Sequence, residues 1–364
     1  MLAFGAVAAA SATMPFAPRA EDAPVKRTQV PLPKFHVTTD QIIGARVGLR
    51  PFRPSGFVVK SEPFGDKTLI HNYGHGGCGL ALSWGTADMA AKLALATPHR
   101  QAAIIGCGVI GLTTARLLQD RGFTVAIYAA SLPPSTTSDV AAGTFGVTSL
   151  VDEAHQTEEI GNRIAAAARF SFQHFLALPA ARYGVKPFDL YLLGPRPIEI
   201  PWDFAITPDL FPFETFGPGE HPFPNNYAAR TKTFIAETDI LLPALLADVR
   251  AHGGTIETRG FADMAELQTL EAPLIVNACG IGAKALFGDA ELVPVKGQIT
   301  ILKPRPDIAY GYVDPVLDLY MFPRSDGIVL GGSHGHGDWS MESDPERAAQ
   351  ILEGNGLIAG GMRS

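Results

Sequence analysis

Gln101-Ala102-Ala103-Ile104-Ile105-Gly106-Cys107-Gly108-Val109-Ile110-Gly111-Leu112 decides the reading of this chain. A short, continuous apolar run is the pattern of a strand buried on both faces of a parallel sheet. The glycines that follow are spaced GxGxxG. A helical pattern then runs to about Arg121, and Gly122 stops it. Thr124 to Tyr128 reads as the next strand, completing a βαβ unit. A lone GxGxxG is a weak signal, but between strand and helix it acquires a mechanism. The first glycine makes a tight turn, the second lets backbone approach a pyrophosphate, and the third permits close helix–strand packing. The helix N-terminus adds amide donors and the positive end of a dipole. These residues predict a dinucleotide-binding loop. The acid that usually follows the second strand and holds the ribose is missing, since Tyr128 is followed by Ala129, Ala130 and Ser131. Ribose recognition is expected from Ser131 or from backbone.

Downstream, Ser135-Thr136-Thr137-Ser138-Asp139-Val140-Ala141-Ala142-Gly143 combines hydroxyls with small residues. Such a run suits phosphate bonding and close approach to a planar ring; the alternative is an ordinary polar loop. Residues 151–180 hold a helix rich in Ala and Phe. Residues 186–227 are Pro-rich, with short strands and long loops. From Glu237 to His252 an amphipathic helix presents Ile240, Leu241, Pro243, Leu245, Leu246 and Val249. Leu274–Asn277 reads as a strand, 295–332 as an antiparallel sheet, and 344–354 as a short helix. Upstream, 41–60 gives short extended runs broken by Arg50-Pro51-Phe52-Arg53-Pro54. Thr68 to Asn72 reads as a strand. The Gly-rich loop 74–79 leads into a helix from Ala81 to Ala94, ended by Pro98.

With 364 residues, 46% hydrophobic and 18% charged, the chain can build a large core in two domains or one large α/β unit. A net charge of −7 without a basic run argues against nucleic-acid binding. Cys78, Cys107 and Cys279 form no CxxC pair, so they read as small buried hydrophobes rather than a disulfide or zinc framework. Leu2 to Ala12 is apolar and small, like the core of an export signal with Ala10-Ser11-Ala12 as a cleavage site. It lacks a charged leading region, and a disordered tail is the alternative. At that length no bilayer span, and so no membrane insertion, is expected. Localisation stays open between export to a periplasm and the cytoplasm.

Several further blocks stand with the glycine loop: Thr136-Thr-Ser-Asp-Val-Ala-Ala-Gly143, Val276-Asn-Ala-Cys-Gly280, Gly297-Gln-Ile299, and Tyr320-Met-Phe-Pro323 with Ile328-Val-Leu-Gly-Gly332. Gly48-Leu-Arg-Pro-Phe-Arg-Pro54 and His71-Asn-Tyr-Gly-His-Gly-Gly77 with Trp84-Gly85 complete the set. Together they resemble the D-amino-acid oxidase family of FAD-dependent amine oxidases, over about residues 40–340. In that family the Arg-Pro and His-Asn-Tyr-Gly blocks close the chain, whereas here they precede the βαβ unit. The order reads as a circular permutation, with Thr97 to Gln101 as the joint and the helical tail leading in space toward Thr38 to Ala45.

The resemblance implies an α/β fold: a Rossmann-like FAD-binding domain with a parallel central sheet, plus a substrate domain with a mixed or antiparallel sheet. It assigns 56–150 and 228–290 to the first and 38–55, 151–227 and 291–345 to the second. Residues 1–37 are a signal-like linker and 346–364 a C-terminal helix and tail. Gly106, Gly108, Val109, Ile110 and Gly111 are expected to hold the FAD pyrophosphate. Thr136, Thr137 and Ser138 are expected along the phosphates, with Ala142 and Gly143 near the flavin and Cys279 among the cofactor-binding residues. Gly76, Gly79 and Leu80 are expected over its other side, where a β-carbon would collide with the ring. Arg50 matches the arginine that clamps the substrate carboxylate, a bidentate role that Lys does not reproduce. Tyr320 matches a tyrosine that contacts the same carboxylate, and Gly77 a carbonyl that receives the amine. Arg53 is read as a solvated loop charge.

Two departures fall at Val316, in place of a second pocket tyrosine, and at Phe145-Gly146, in place of Trp-Gln; both imply a less polar pocket. His334 and His336 have metal-ligand spacing but read as a surface loop. The implied reaction is oxidative deamination of a D-amino acid, with dioxygen as oxidant and no metal. A flavin dehydrogenase passing electrons to a quinone or carrier is one alternative, and a flavin-binding module without catalysis is another. A homodimer is the open expectation for assembly.

Overall fold

The computed structural model describes residues 31–363, so the signal-like segment lies outside the described residues. Two sheets organise the chain. The smaller has six strands in the order Val58–Phe64, Lys67–Tyr73, Leu274–Asn277, Gln101–Ile105, Thr124–Ala129, Thr255–Thr258. Its first strand is antiparallel and the rest run parallel. Gln101–Ile105 is buried on both faces: Ala102 and Ile104 pack under helices, while Ala103 and Ile105 join a cluster with Leu267 and Leu270. This is why the run shows no alternation.

Helices Gly79–Leu95 and Val109–Asp120 lie side by side on one face, joined where Thr113 Oγ1 donates to the Ser83 carbonyl at 3.2 Å. The first is buried almost all round because helix Glu158–Ala177 covers its outer side. That contact needs Gly85, whose amide donates to Ser171 Oγ at 2.8 Å and over which the Ala167 backbone passes. The sequence places 151–227 in the substrate part, and within it the apolar stripe of Glu158–Ala177 packs on helix Gly79–Leu95.

The larger sheet has nine strands. Eight follow the order Ile42–Phe52, Val293–Leu302, Ile328–Gly331, Leu319–Pro323, Tyr310–Asp314, Val185–Gly194, Tyr227–Ala236, Glu214–Phe216, and the short Gly335–His336 also pairs with Val293–Leu302. Tyr310–Asp314 runs parallel to Val185–Gly194 and the other pairs are antiparallel. Tyr227–Ala236, placed with the nucleotide-binding part by sequence, is a strand here.

Arg50-Pro51 does not break the first strand. It continues to Phe52, with Arg50 opposite Val295 and Pro51 opposite Pro294. An edge strand tolerates a proline because one row of its amides has no partner to lose. The Pro-rich 186–227 likewise contains a ten-residue strand, Val185–Gly194. The tail helix is longer than its spacing suggested, Pro345–Gly361, and Ile351, Ile358 and Met362 enter a core with Phe35, Tyr310 and Tyr312. Its C-terminal end lies beside the start of the described chain: Tyr310 OH donates to the Pro33 carbonyl at 2.8 Å and sits 3.3 Å from Met362 Sδ.

Candidate active site

The nucleotide cradle forms where the parallel strands end. Gly106 turns with φ +119°, and the Ala278 carbonyl occupies the space a β-carbon would need. No other residue type fits that turn without strain. Its amide donates to the Tyr128 carbonyl at 2.8 Å, and the Gly106 carbonyl leaves no room for a side chain at Gly111. Helix Val109–Asp120 starts at Gly108 with no side-chain cap. Its first amide, Val109 N–H, donates to Ser138 Oγ at 3.0 Å, which leaves that hydroxyl proton free to donate onward. Ile110 follows in the first turn. The Cys279 amide, held by Asn277 Oδ1 at 3.1 Å, lies on the other side of Gly106.

Thr136 and Asp139 close a capping box around the short helix Thr137–Val140. This fixes Ser138 against the glycine turn. Ala142 and Gly143 then run antiparallel to Ala236, whose amide donates to the Gly143 carbonyl at 2.8 Å. The fully buried Arg324 holds the Ala141 carbonyl at 3.2 Å and Thr238 Oγ1 at 3.0 Å.

A second uncapped helix start, at Gly79 and Leu80, follows the turn Gly76–Cys78. Two helix N-termini on adjacent packed helices, glycine turns, and the Ser138 hydroxyl at the first of them fit a flavin dinucleotide, since anionic and electron-rich groups gather at such ends. The ribose position differs from the usual pattern. Arg259, which follows strand Thr255–Thr258, stands at the end of Thr124–Ala129: its amide donates to the Ala129 carbonyl at 2.9 Å and its guanidinium lies over the Tyr128 and Phe261 rings. Sequence reasoning missed Arg259 because only the parallel pairing of 255–258 on 126–129 brings it there.

The predicted clamp residues come together. Arg50 Nη1 donates to the Ser333 carbonyl at 2.8 Å. The guanidinium lies flat over Gly297, where a β-carbon would stand 2.5 Å from Nη2, and its stem is 3.8 Å from the β-carbon position of Gly77. The Tyr320 ring covers Gly331 in the same way. Burial pushes the Tyr320 hydroxyl above its ordinary range, while Arg50 pulls it back down.

Asp318 stands beside this pair. A bond from His334 Nδ1 at 3.0 Å, then Arg347 and Arg50, hold its carboxyl below the usual range. Gly297 and Gly331 carried a signal in the sequence, because glycine inside a strand pattern marks a close approach. Asp318, Ser333 and Arg347 carried none.

Other expectations resolve as follows. Arg53 is not a solvated charge: its Nε donates to Asp289 at 2.8 Å, and it also bonds Glu291, Ser55 and Gly56. Phe145 is wholly buried in a cluster with Phe172, Phe175, Phe211 and Phe234, and Val316 is 67% exposed. His336 packs edge-on against Phe52. Cys78 and Cys107 are buried and Cys279 half-buried, with burial raising each thiol. His71 uses both ring nitrogens, on Glu62 at 3.2 Å and Asn277 at 3.0 Å; it lines a cavity of about 410 Å³ with Arg53, Lys60 and Asp289, apart from the clamp. No helix among the described residues is long and apolar enough to cross a membrane.

The fold and cradle define a flavin-dinucleotide oxidoreductase. Residues 101–355 match the FAD dependent oxidoreductase family, to which this chain belongs. It is 32% identical to the D-amino-acid oxidase of Rubrobacter xylanophilus, over 69% of this chain and 75% of that one. It is 31% identical to the D-amino-acid oxidase of Streptomyces coelicolor, over 68% and 74%. Glycine oxidase from Geobacillus kaustophilus has a similar fold, with TM-score 0.54 and 18% identity over 71% of this chain and 78% of that one.

Proposed function

We propose that this protein oxidises a D-amino acid to the imino acid and reduces dioxygen to hydrogen peroxide. The observation that carries this reading is the meeting of Arg50 with Tyr320, the Arg50 stem lying beside Gly77, next to the uncapped start of helix Gly79–Leu95. The likeness to two D-amino-acid oxidases favours the D configuration. FAD, when bound, supplies a two-electron acceptor. Gly106, Gly108, Gly111 and Ser138 would hold its pyrophosphate, and Gly76, Gly77 and Gly79 would face its ring.

The chain's own residues do the positioning. Arg50 gives up its bond to the Ser333 carbonyl for a substrate carboxylate, which bonds a guanidinium better than a neutral carbonyl does. The Tyr320 hydroxyl, kept protonated by burial, donates to the same carboxylate. The Gly77 carbonyl receives the amine. The substrate then loses its Cα–H and one N–H as two electrons and two protons. Water hydrolyses the resulting imine to a 2-oxo acid and ammonia.

The order of segments supports a circular permutation of the family's chain. The family match begins at residue 101, yet Ile42–Phe52 and Lys67–Tyr73 supply a strand to each sheet, and residues 33 and 362 meet at one hydroxyl.

The test is a panel of D- and L-amino acids and N-methyl amines, with flavin absorbance followed anaerobically and peroxide followed in air. Bleaching and peroxide with D-isomers support the reading. Bleaching without peroxide in air identifies a dehydrogenase. A flavin that no amine bleaches overturns the enzymatic reading.

A further inference from the structure

Glu62, His71 and Asn277 form a chain of hydrogen bonds that the chemistry above leaves unused. Strands Lys67–Tyr73 and Leu274–Asn277 run parallel with His71 opposite Asn277, so both side chains stand on one face of the sheet. Strand Val58–Phe64 runs antiparallel on the other side, with Lys60 opposite His71 and Glu62 two residues on, facing the same way. Asn277 is fully buried and His71 is 4% exposed. His71 Nε2 lies 3.2 Å from Glu62 Oε1, and its Nδ1 lies 3.0 Å from Asn277 Nδ2. The Cys279 amide donates to Asn277 Oδ1 at 3.1 Å.

One arrangement of protons satisfies this chain. A backbone amide only donates, so the Asn277 atom facing Cys279 is the carbonyl oxygen and the atom facing His71 is the NH2 group. That group only donates, so His71 Nδ1 accepts and carries no proton. The ring proton sits on Nε2 and is donated to Glu62, whose other oxygen accepts from Lys60 Nζ at 2.7 Å. A second proton on His71 has to sit at Nδ1, against the Asn277 NH2. Turning that amide over would set its NH2 against the Cys279 N–H instead. Either way a buried donor loses its acceptor.

The inner end of the chain is the cradle. The Ala278 amide donates to the Ile105 carbonyl at 2.9 Å. The Ala278 carbonyl and the Cys279 nitrogen lie 2.3 and 3.2 Å from where a β-carbon on Gly106 would stand, and the Ala278 methyl is 3.7 Å from that position at Gly111. Asn277 thus fixes the turn that packs on both glycines.

We infer that His71 is a positioning residue for the nucleotide: its neutral, Nε2-protonated ring holds the Asn277 amide, and Asn277 holds turn 278–279 against Gly106 and Gly111. This rests on the reading above that the glycine turn carries the FAD pyrophosphate. The charged groups around His71 are Glu62 and Lys60 on the antiparallel strand, and Asp289, which bonds Arg53 and Tyr73. Helices Met264–Gln268 and Ala283–Phe287 bring Met264 and the Phe287 ring, both uncharged. Burial holds the His71 ring below the ordinary histidine range, against the opposing pull of Glu62. A lowered histidine contributes stability present above the ordinary range and lost as pH falls through the lowered value. The sign for FAD is the same, because only the neutral ring completes the chain.

The test uses holoenzyme with 15N-labelled histidine. Ring nitrogens are read by NMR, and FAD retention by ultrafiltration, from about pH 8 to about pH 5, across the ordinary histidine range. The His71 signals are those missing from His71→Asn. Wild type is expected protonated at Nε2 and bare at Nδ1 at the upper pH. Its Kd for FAD rises as pH falls through the His71 titration, by at most about 10-fold per pH unit for one proton. His71→Asn puts a side-chain oxygen near the accepting Nδ1 without a titrating ring, so it keeps FAD and loses the acid rise. Asn277→Asp still accepts from Cys279 but sets a carboxylate oxygen against Nδ1. Its His71 ring should carry both protons at neutral pH, and the acid rise should vanish. A wild-type ring protonated at Nδ1 and bare at Nε2 overturns the inference, as does an acid rise unchanged in both variants. The two proposals fail separately. Absence of amine oxidation with the expected ring protons and acid rise removes only the function. D-amino-acid turnover with an acid rise unchanged in both variants removes only the role of His71.

Discussion

The nucleotide cradle and the proposed carboxylate clamp are built on opposite plans. The cradle is local: Gly106, Gly108 and Gly111 belong to one strand–helix turn, and the groups they offer are backbone amides. The clamp is assembled from far-separated segments. Arg50, Gly77, Gly297, Tyr320 and Ser333 come from different strands and loops, and the charged and hydroxyl groups among them are the side chains of Arg50 and Tyr320. A site of backbone amides depends on where glycine is allowed. A site of side chains depends on register, because a slip of one residue turns each side chain to the opposite face.

The contrast is broken most completely at the cradle. Gly106→Val forces a side chain into the Ala278 carbonyl at positive φ, and the purified protein is expected colourless, with FAD absorbance lost whatever the substrate. Arg50→Ala leaves the protein yellow but removes the charge that pairs the carboxylate. At about 2–5 kcal/mol for an unpaired charge, kcat/KM falls about 30-fold to several thousand-fold. Near-normal turnover would remove Arg50 from the site.

Gly297→Ala tests the clamp without touching a polar group. Its methyl pushes on the guanidinium, and a loss of about 10- to 100-fold in kcat/KM is expected, as for a misplacement of about 1 Å. Unchanged kinetics there would mean that Arg50 adjusts freely. The smallest effect is at Asp318. Its lowered carboxyl contributes stability present above the ordinary range and lost as pH falls through the lowered value. Asp318→Asn should flatten the acid side of the thermal-stability profile while shifting KM by a small factor, and an unaltered acid limb would contradict the His334 pairing.

Permutation sharpens the comparison from another direction. A gene that joins Met362 to Pro33 and opens the chain between Pro98 and Arg100 keeps every contact of both sites, because Tyr310 already holds the two ends together. It should fold and bind FAD. A rearranged chain that cannot fold would show that the present order is needed for more than connection.

Legibility followed the same division. Gln101–Ile105 and Leu274–Asn277 were readable to the residue, because a strand buried on both faces has an unbroken apolar run. Ile42–Phe52 was read as broken at Arg50-Pro51, since the edge position that excuses a proline is a property of the sheet and not of the segment. Arg53 resembled any exposed loop charge until Asp289 and Glu291 arrived from a distant segment.

What the sequence by itself determined is the class of the protein: a βαβ nucleotide turn, its glycines, and an arginine, a tyrosine and a glycine loop fit for an amino-acid carboxylate and amine. The glycine turn follows from spacing and from the conformations each residue permits; the arginine, the tyrosine and the glycine loop are what the family resemblance implies. What only the tertiary structure decided is the working arrangement. Arg50 lies over Gly297, Asp318 is tied to His334 and Arg347, and the Ser149 carbonyl accepts from the Gly77 amide. These contacts join residues far apart in the chain, and no local pattern encodes which of many possible partners a folded backbone brings within reach.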